Sequence, residues 1–135
     1  MSVHYVDSSA WVKLVVDEPE SHALVRWVNE RLTAGDHLVS SHVLVTELHR
    51  AARRAGASAT AVSAALSVLG LSLPSPATYR TAGLMPGSIR SLDALHVATA
   101  VELGADSFVT FDERQGAAAQ GAGIPIGGPS PTSFS

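Results

Sequence analysis

Three carboxylates in the sequence stand where an unpaired acid is costly, Asp7, Asp93 and Asp112, and a fourth, Glu47, falls within a helical stretch between them. Asp7 follows the β-favouring run Val3-His4-Tyr5-Val6, and Asp112 follows Phe108-Val109-Thr110-Phe111. Asp93 shares a largely apolar segment with Leu92, Leu95 and Val97. A lone charge buried in such surroundings weakens folding or shifts its pKa until it is neutral. No basic residue adjoins Asp7 or Asp112 on the strand side. A divalent cation would supply the missing charge, and an all-oxygen donor set suits Mg²⁺ or Mn²⁺. Taken singly, each acid has a plainer explanation. Asp7 could cap a helix, and Glu47 could pair with Arg50 or Arg54 on an exposed face. Asp93 could favour a helix dipole, and Asp112 could begin a helix.

The elements that must position these acids alternate. Strands are expected over 3–6, 38–40, 71–73, 106–111 and, last, 124–126, with Pro74 ending the third. Helices are expected through Trp11 to Val15, over 20–32, from Val43 to about Arg54, and over 58–69, 76–84 and 92–103. Ser8-Ser9 offers hydroxyls to cap the first helix, and Ser91 offers one to the last. Strand alternating with helix implies right-handed crossovers and a parallel sheet covered on both faces. The expected class is therefore α/β, three-layered, with a central parallel sheet of about five strands. Ligands in such sheets gather at the carboxyl ends of the strands, where Asp7 and Asp112 fall. Residues 1–126 form one expected domain, and the Gly/Pro/Ser-rich stretch 127–135 reads as a flexible tail.

Bulk properties bound the function. A chain of 135 residues suits a single domain. The absence of cysteine excludes a disulfide framework and a thiolate zinc site, and fits a reducing cytoplasm. No basic segment precedes a long apolar run, so neither a targeting peptide nor a membrane span is expected. The net charge of −3 argues against binding nucleic acid by excess positive charge alone. An acidic site that holds divalent ions, however, becomes positive once loaded.

The motifs around the four acids resemble those of the PIN domain nucleases, and within them the VapC toxins of bacterial toxin–antitoxin pairs. Tyr5-Val6-Asp7-Ser8-Ser9-Ala10 is similar to the family's opening strand and first acid, and Val45-Thr46-Glu47-Leu48 to its second. Ser91-Leu92-Asp93-Ala94-Leu95-His96-Val97-Ala98-Thr99-Ala100 resembles the third, and Val109-Thr110-Phe111-Asp112 the fourth. Order and spacing agree across about residues 3–126, although the region 56–83 carries no placed motif. The resemblance implies a PIN-like fold and a phosphodiesterase site in which Asp7, Asp93 and Asp112 ligate Mg²⁺ or Mn²⁺, with Glu47 completing the cage. It also implies cleavage of RNA to 5′-phosphate and 3′-hydroxyl ends, a VapB-like antitoxin and a homodimer.

Other residues are candidates beside these. Thr110 is placed to hydrogen-bond an acid or a metal-held water, and Ser8 has the same claim beside helix capping. Arg50 and Arg54 share Glu47's helical face and could meet RNA phosphates, as could Lys13 and Arg90, the alternative being a solvated charged face. His96 lies three residues after Asp93, but a packed core histidine is favoured over a ligand. Trp11 and Trp27 read as core. A phosphoacceptor signalling domain would want a second acid after Asp7 and a Lys after the Phe108-Val109-Thr110 strand, and neither is present. A non-catalytic PIN-like module would lack acids that this chain has. A housekeeping PIN nuclease stays open beside the toxin.

Overall fold

Four short strands carry the molecule: β1 (Val3–Val6), β2 (His37–Ser41), β3 (Gly70–Ser72) and β4 (Ser107–Val109). In the computed structural model, which describes residues 1–129, they form one parallel sheet in the order β3-β2-β1-β4. The chain winds from β1 outward to β3 and then returns to lay β4 on the other side of β1. The winding direction thus reverses between β1 and β4, which opens a crevice at their carboxyl ends.

Seven helices cover the sheet among the described residues. They are α1 (Ser8–Trp11, extended by a 3-10 turn over Val12–Leu14), α2 (Ser21–Thr33), α3 (Val43–Ala55), α4 (Ala59–Ser67), α5 (Pro76–Gly83), α6 (Ser91–Glu102) and α7 (Glu113–Gly121). Strand residues alternate between two cores. Val6, Leu38 and Val109 pack with Trp11, Leu24, Leu44 and Leu48 from α1 to α3. Tyr5 and Phe108 pack on the opposite face with Val97 of α6 and Ala119 of α7. The result is the expected three layers. Trp11 is fully buried and its indole N–H donates to the Ala65 carbonyl at 2.8 Å, while Trp27 is half-buried with its ring edge-on to His4.

Three expectations need correction. The fifth strand is reduced to a single parallel bridge between Ile126 and Phe108. Phe108 N–H donates to the Pro125 carbonyl and Gly127 N–H to the Phe108 carbonyl. Pro125 has no N–H to extend the ladder. Gly127 is also required by close approach, since a Cβ there would lie 2.4 Å from the Ser107 hydroxyl oxygen. The fourth strand is shorter than 106–111, because beyond Val109 the chain turns its polar groups to side chains: Phe111 N–H donates to Ser9 Oγ. Finally, Asp7 rather than Ser8-Ser9 caps α1, and α6 starts at Ser91 with Arg90 at the cap position and no side-chain cap bond. Of the tail expected over 127–135, residues 130–135 lie outside the described residues.

At the amino ends of the strands, Asp36 ties the sheet to its first residues. It accepts the Ser2 N–H at 3.1 Å, His4 Nε2 lies 3.0 Å from its other oxygen and Arg31 Nη1 3.2 Å away. These contacts, the Ser2 N–H foremost, lower its carboxyl pKa to about 2.

Candidate active site

Asp7, Glu47, Asp93 and Asp112 line one cleft of about 680 Å³ at the carboxyl ends of β1 and β4. Two acids come from strand ends and two from the flanking helices α3 and α6.

Asp7 is 3% exposed. Its Oδ1 accepts the Ser9 hydroxyl at 2.8 Å and the Ala10 N–H at 3.0 Å, and its Oδ2 accepts the Thr110 hydroxyl at 2.5 Å. Burial pushes the Asp7 carboxyl above the ordinary range despite these three donors. The Thr110 oxygen also accepts the Asp112 N–H at 3.0 Å, so one hydroxyl joins both strand-end acids. Asp112 caps α7, accepting the N–H groups of Arg114 and Gln115 at 2.9 and 3.1 Å. Capping and lining the cleft are thus the same act for Asp7 and Asp112.

Glu47 lies beside Leu44 and Leu48, which anchor α3 to the core. Its Oε2 accepts the Ser8 hydroxyl at 3.2 Å, and its Oε1 lies 2.6 Å from His96 Nε2. Asp93 sits in the first turn of α6, with Arg90 Nε 3.5 Å from Oδ2. Burial raises its carboxyl pKa, and the neighbouring charges of Asp112 and Glu47 raise it further against the pull of Arg90. Arg90 is itself 79% exposed and shares its charge with water.

Crowded carboxylates whose acid forms are favoured by burial and mutual repulsion make a donor set that fits a hard divalent cation. Among the described residues no three His, Asp or Glu side chains converge to hold such an ion directly. Mg²⁺ commonly keeps several waters and takes one or two carboxylates directly, which suits acids spread around a cleft of this size.

Of the basic residues singled out by sequence, Arg50, Arg54 and Arg90 line the cleft. Lys13 does not. It is 9% exposed, its ammonium lies 2.8 Å from Glu20 Oε2 and 4.9 Å from the centre of the Phe111 ring, and RNA would have to break that pairing. We therefore drop Lys13 from the candidate RNA contacts. Sequence reasoning placed His96 in the core, where it is, but missed its bond to Glu47. It also passed over Ser9, whose hydroxyl serves Asp7 and the Phe111 N–H at once. The signal available was the hydroxyl run Ser8-Ser9 directly after the first acid.

A four-stranded parallel sheet with acids at two strand ends and on two flanking helices defines an α/β protein built around a carboxylate-lined crevice. The family model of the PIN domain matches residues 4–121, and the chain belongs to the PIN domain family. Ribonuclease VapC46 of Mycobacterium tuberculosis is 41% identical over 134 residues, covering 96% of this chain and 100% of its own. Ribonuclease VapC47 of the same species is 33% identical over 117 residues, covering 82% and 85%. Two solved structures share the fold. VapC20 of Mycobacterium tuberculosis superposes with a TM-score of 0.67 at 19% identity, over 93% of this chain and 99% of its own. VapBC2 from Rickettsia felis, bound to a DNA fragment from its promoter, gives 0.71 at 14%, over 95% and 99%.

Proposed function

We propose that this protein is a metal-dependent endoribonuclease and the toxin of a VapBC-like toxin–antitoxin pair. The observation that carries the reading is the cleft itself, which four carboxylates line and in which burial raises the pKa of Asp7 and Asp93. The ribonuclease names of relatives that align over nearly the whole chain support the substrate class.

Asp7, Glu47, Asp93 and Asp112 would hold Mg²⁺ or Mn²⁺, which when bound supplies Lewis-acid polarisation of a phosphoryl oxygen and a more acidic water. The chain's own residues do the rest. Thr110 and Ser9 fix both oxygens of Asp7, and backbone N–H groups fix Asp112, so the acids are oriented before substrate arrives. Arg50, Arg54 and Arg90 receive the RNA phosphates at the cleft's edge. On this reading the protein works in the cytoplasm as a homodimer, and a small antitoxin places a cationic side chain among the acids. No helix among the described residues is long and apolar enough to cross a membrane.

The test is incubation of the purified protein with total bacterial RNA, with Mg²⁺ or with EDTA, followed by mapping of the ends. Cleavage that needs the metal and leaves 5′-phosphates is expected, and Asp7→Asn or Asp93→Asn abolishes it in a folded protein. Parental cleavage by either folded variant overturns the four-acid site. Co-expression with the adjacent upstream gene tests the toxin role. A protein harmless when expressed alone, and neither bound nor inhibited by that gene's product, is a housekeeping nuclease instead.

A further inference from the structure

His96 is fully buried, yet both its ring nitrogens are engaged: Nδ1 lies 2.7 Å from the Tyr5 hydroxyl and Nε2 2.6 Å from Glu47 Oε1. The three residues come from β1, α6 and α3, so the chain of contacts crosses from the sheet to the cleft wall. Its direction follows from the chemistry of each group. A carboxylate only accepts, so Nε2 carries a hydrogen. Burial favours the protonated Tyr5 phenol, which leaves its hydroxyl hydrogen available to Nδ1, 2.7 Å away. The Nε2–H tautomer, with Nδ1 accepting from the phenol, satisfies both contacts.

Packing alone does not ask for this arrangement. Tyr5 already stacks on Phe108 with centroids 5.2 Å apart, and a phenyl ring would do the same. A buried hydroxyl and imidazole cost folding free energy unless each meets the other. Glu47 is the acid that gains. It has one more rotatable bond than the three aspartates, and its hydrogen bonds come from side chains, His96 and Ser8, one on each oxygen.

We propose that His96, held between Tyr5 and Glu47, is a positioning residue that fixes the Glu47 carboxylate at the cleft wall. The proposal rests on the reading of the cleft as a metal-dependent nuclease site and assigns that site a support reaching into the sheet. The closest precedent in physical terms is the hydrogen-bond partner that orients a metal-ligating group, whose loss typically weakens metal affinity or activity about 10–100-fold.

The test uses the whole protein and three variants, His96→Leu, His96→Gln and Tyr5→Phe, each checked by melting. Ring nitrogen NMR of the metal-free parent shows a protonated Nε2 and a bare Nδ1, and Tyr5→Phe shifts the Nδ1 resonance by removing its hydrogen-bond partner while Nε2 stays protonated against Glu47. Calorimetry with Mn²⁺ alone shows binding about 10–100-fold weaker in His96→Leu. His96→Gln, whose amide still donates towards Glu47, recovers most of that loss. RNA cleavage by His96→Leu falls in kcat with little change in KM. A bare Nε2 in the parent overturns the proposal. So does a folded His96→Leu or His96→Gln pair that binds Mn²⁺ and cuts RNA indistinguishably from one another. A parent that neither binds Mn²⁺ nor cuts RNA overturns the nuclease reading itself, and the two failures are told apart by that control.

Discussion

Thr110 spends a single hydroxyl on two acids, donating to Asp7 Oδ2 and accepting the Asp112 N–H. Thr110→Val keeps the shape and removes both bonds. It leaves a buried carboxylate short of a donor, a loss worth about 1–3 kcal/mol, and lowers the melting temperature accordingly. Metal-dependent cleavage falls by about 10–100-fold, read by comparing initial rates at saturating Mg²⁺. Asp93 behaves in the opposite sense for stability. Its carboxyl pKa is raised in the folded protein, so the native state holds the proton more tightly than the unfolded chain does, and ionisation above that pKa weakens folding. Asp93→Asn therefore melts higher than the metal-free parent near neutrality. The gain shrinks as the pH falls through the folded pKa and is gone below the unfolded value of 3.8, where the parent's carboxyl is protonated in both states. Asp7, Asp93 and Asp112 stood out in the sequence because each sits at a strand end or among apolar residues, and Glu47 through the motif Val45-Thr46-Glu47-Leu48. His96 and Tyr5 were not legible as partners of Glu47. Their contacts span 49 and 91 positions along the chain, and no local pattern encodes such a meeting.

Helix α3 sorts its residues by face. Leu44, Leu48 and Ala52 turn to the core, while Glu47, Arg50 and Arg54 recur at helical spacing along the cleft. The acid and the arginines therefore present one surface to the cleft, with Arg50 and Arg54 one and two turns beyond Glu47. Replacing Arg50 or Arg54 with Ala raises KM for RNA and spares kcat. Each change also lowers the slope of log affinity against log salt by about 0.7 for single-stranded RNA, as titrations on the inactive Asp93→Asn background will show. Every expected helix is present, with bounds shifted by a few residues, but α7 was not expected, because its Ala/Gln/Gly-rich run carries no apolar stripe. The edges were harder. Pro125 left only one bridge where a strand was expected, and the carboxylate of Asp7 outcompeted two neighbouring hydroxyls for the cap of α1.

The two ends of the sheet carry opposite electrostatic tasks. At the carboxyl ends acids crowd together, whereas at the amino ends a single acid, Asp36, is matched by the Ser2 N–H, His4 and Arg31. Because the Asp36 pKa falls to about 2 on folding, its contribution is fully present above the unfolded value of 3.8 and is lost as the pH drops through about 2. Asp36→Asn accordingly melts below the parent at neutral pH, and the two melting curves converge on acidification between those values. The alternation of strand and helix made the three layers legible, but not the reversal of winding that sets β4 against β1, which depends on contacts between the two halves of the chain.

That same reversal has a consequence in time. Asp7 leaves the ribosome early, yet the hydroxyl that completes its setting belongs to Thr110, 103 positions later. At about 5–20 residues per second of synthesis, the interval is on the order of 5–20 s. Throughout it β1 has no β4 beside it and the cleft has only one strand-end acid. A nascent chain arrested after Leu103 should therefore leave RNA intact even when puromycin releases it, whereas a full-length chain arrested behind a tether long enough to clear the exit tunnel should cleave, and comparison of the two stalled ribosomes would reveal the difference. On the nuclease reading, translation itself then acts as the safety catch, holding the site incomplete until the last strand has been delivered.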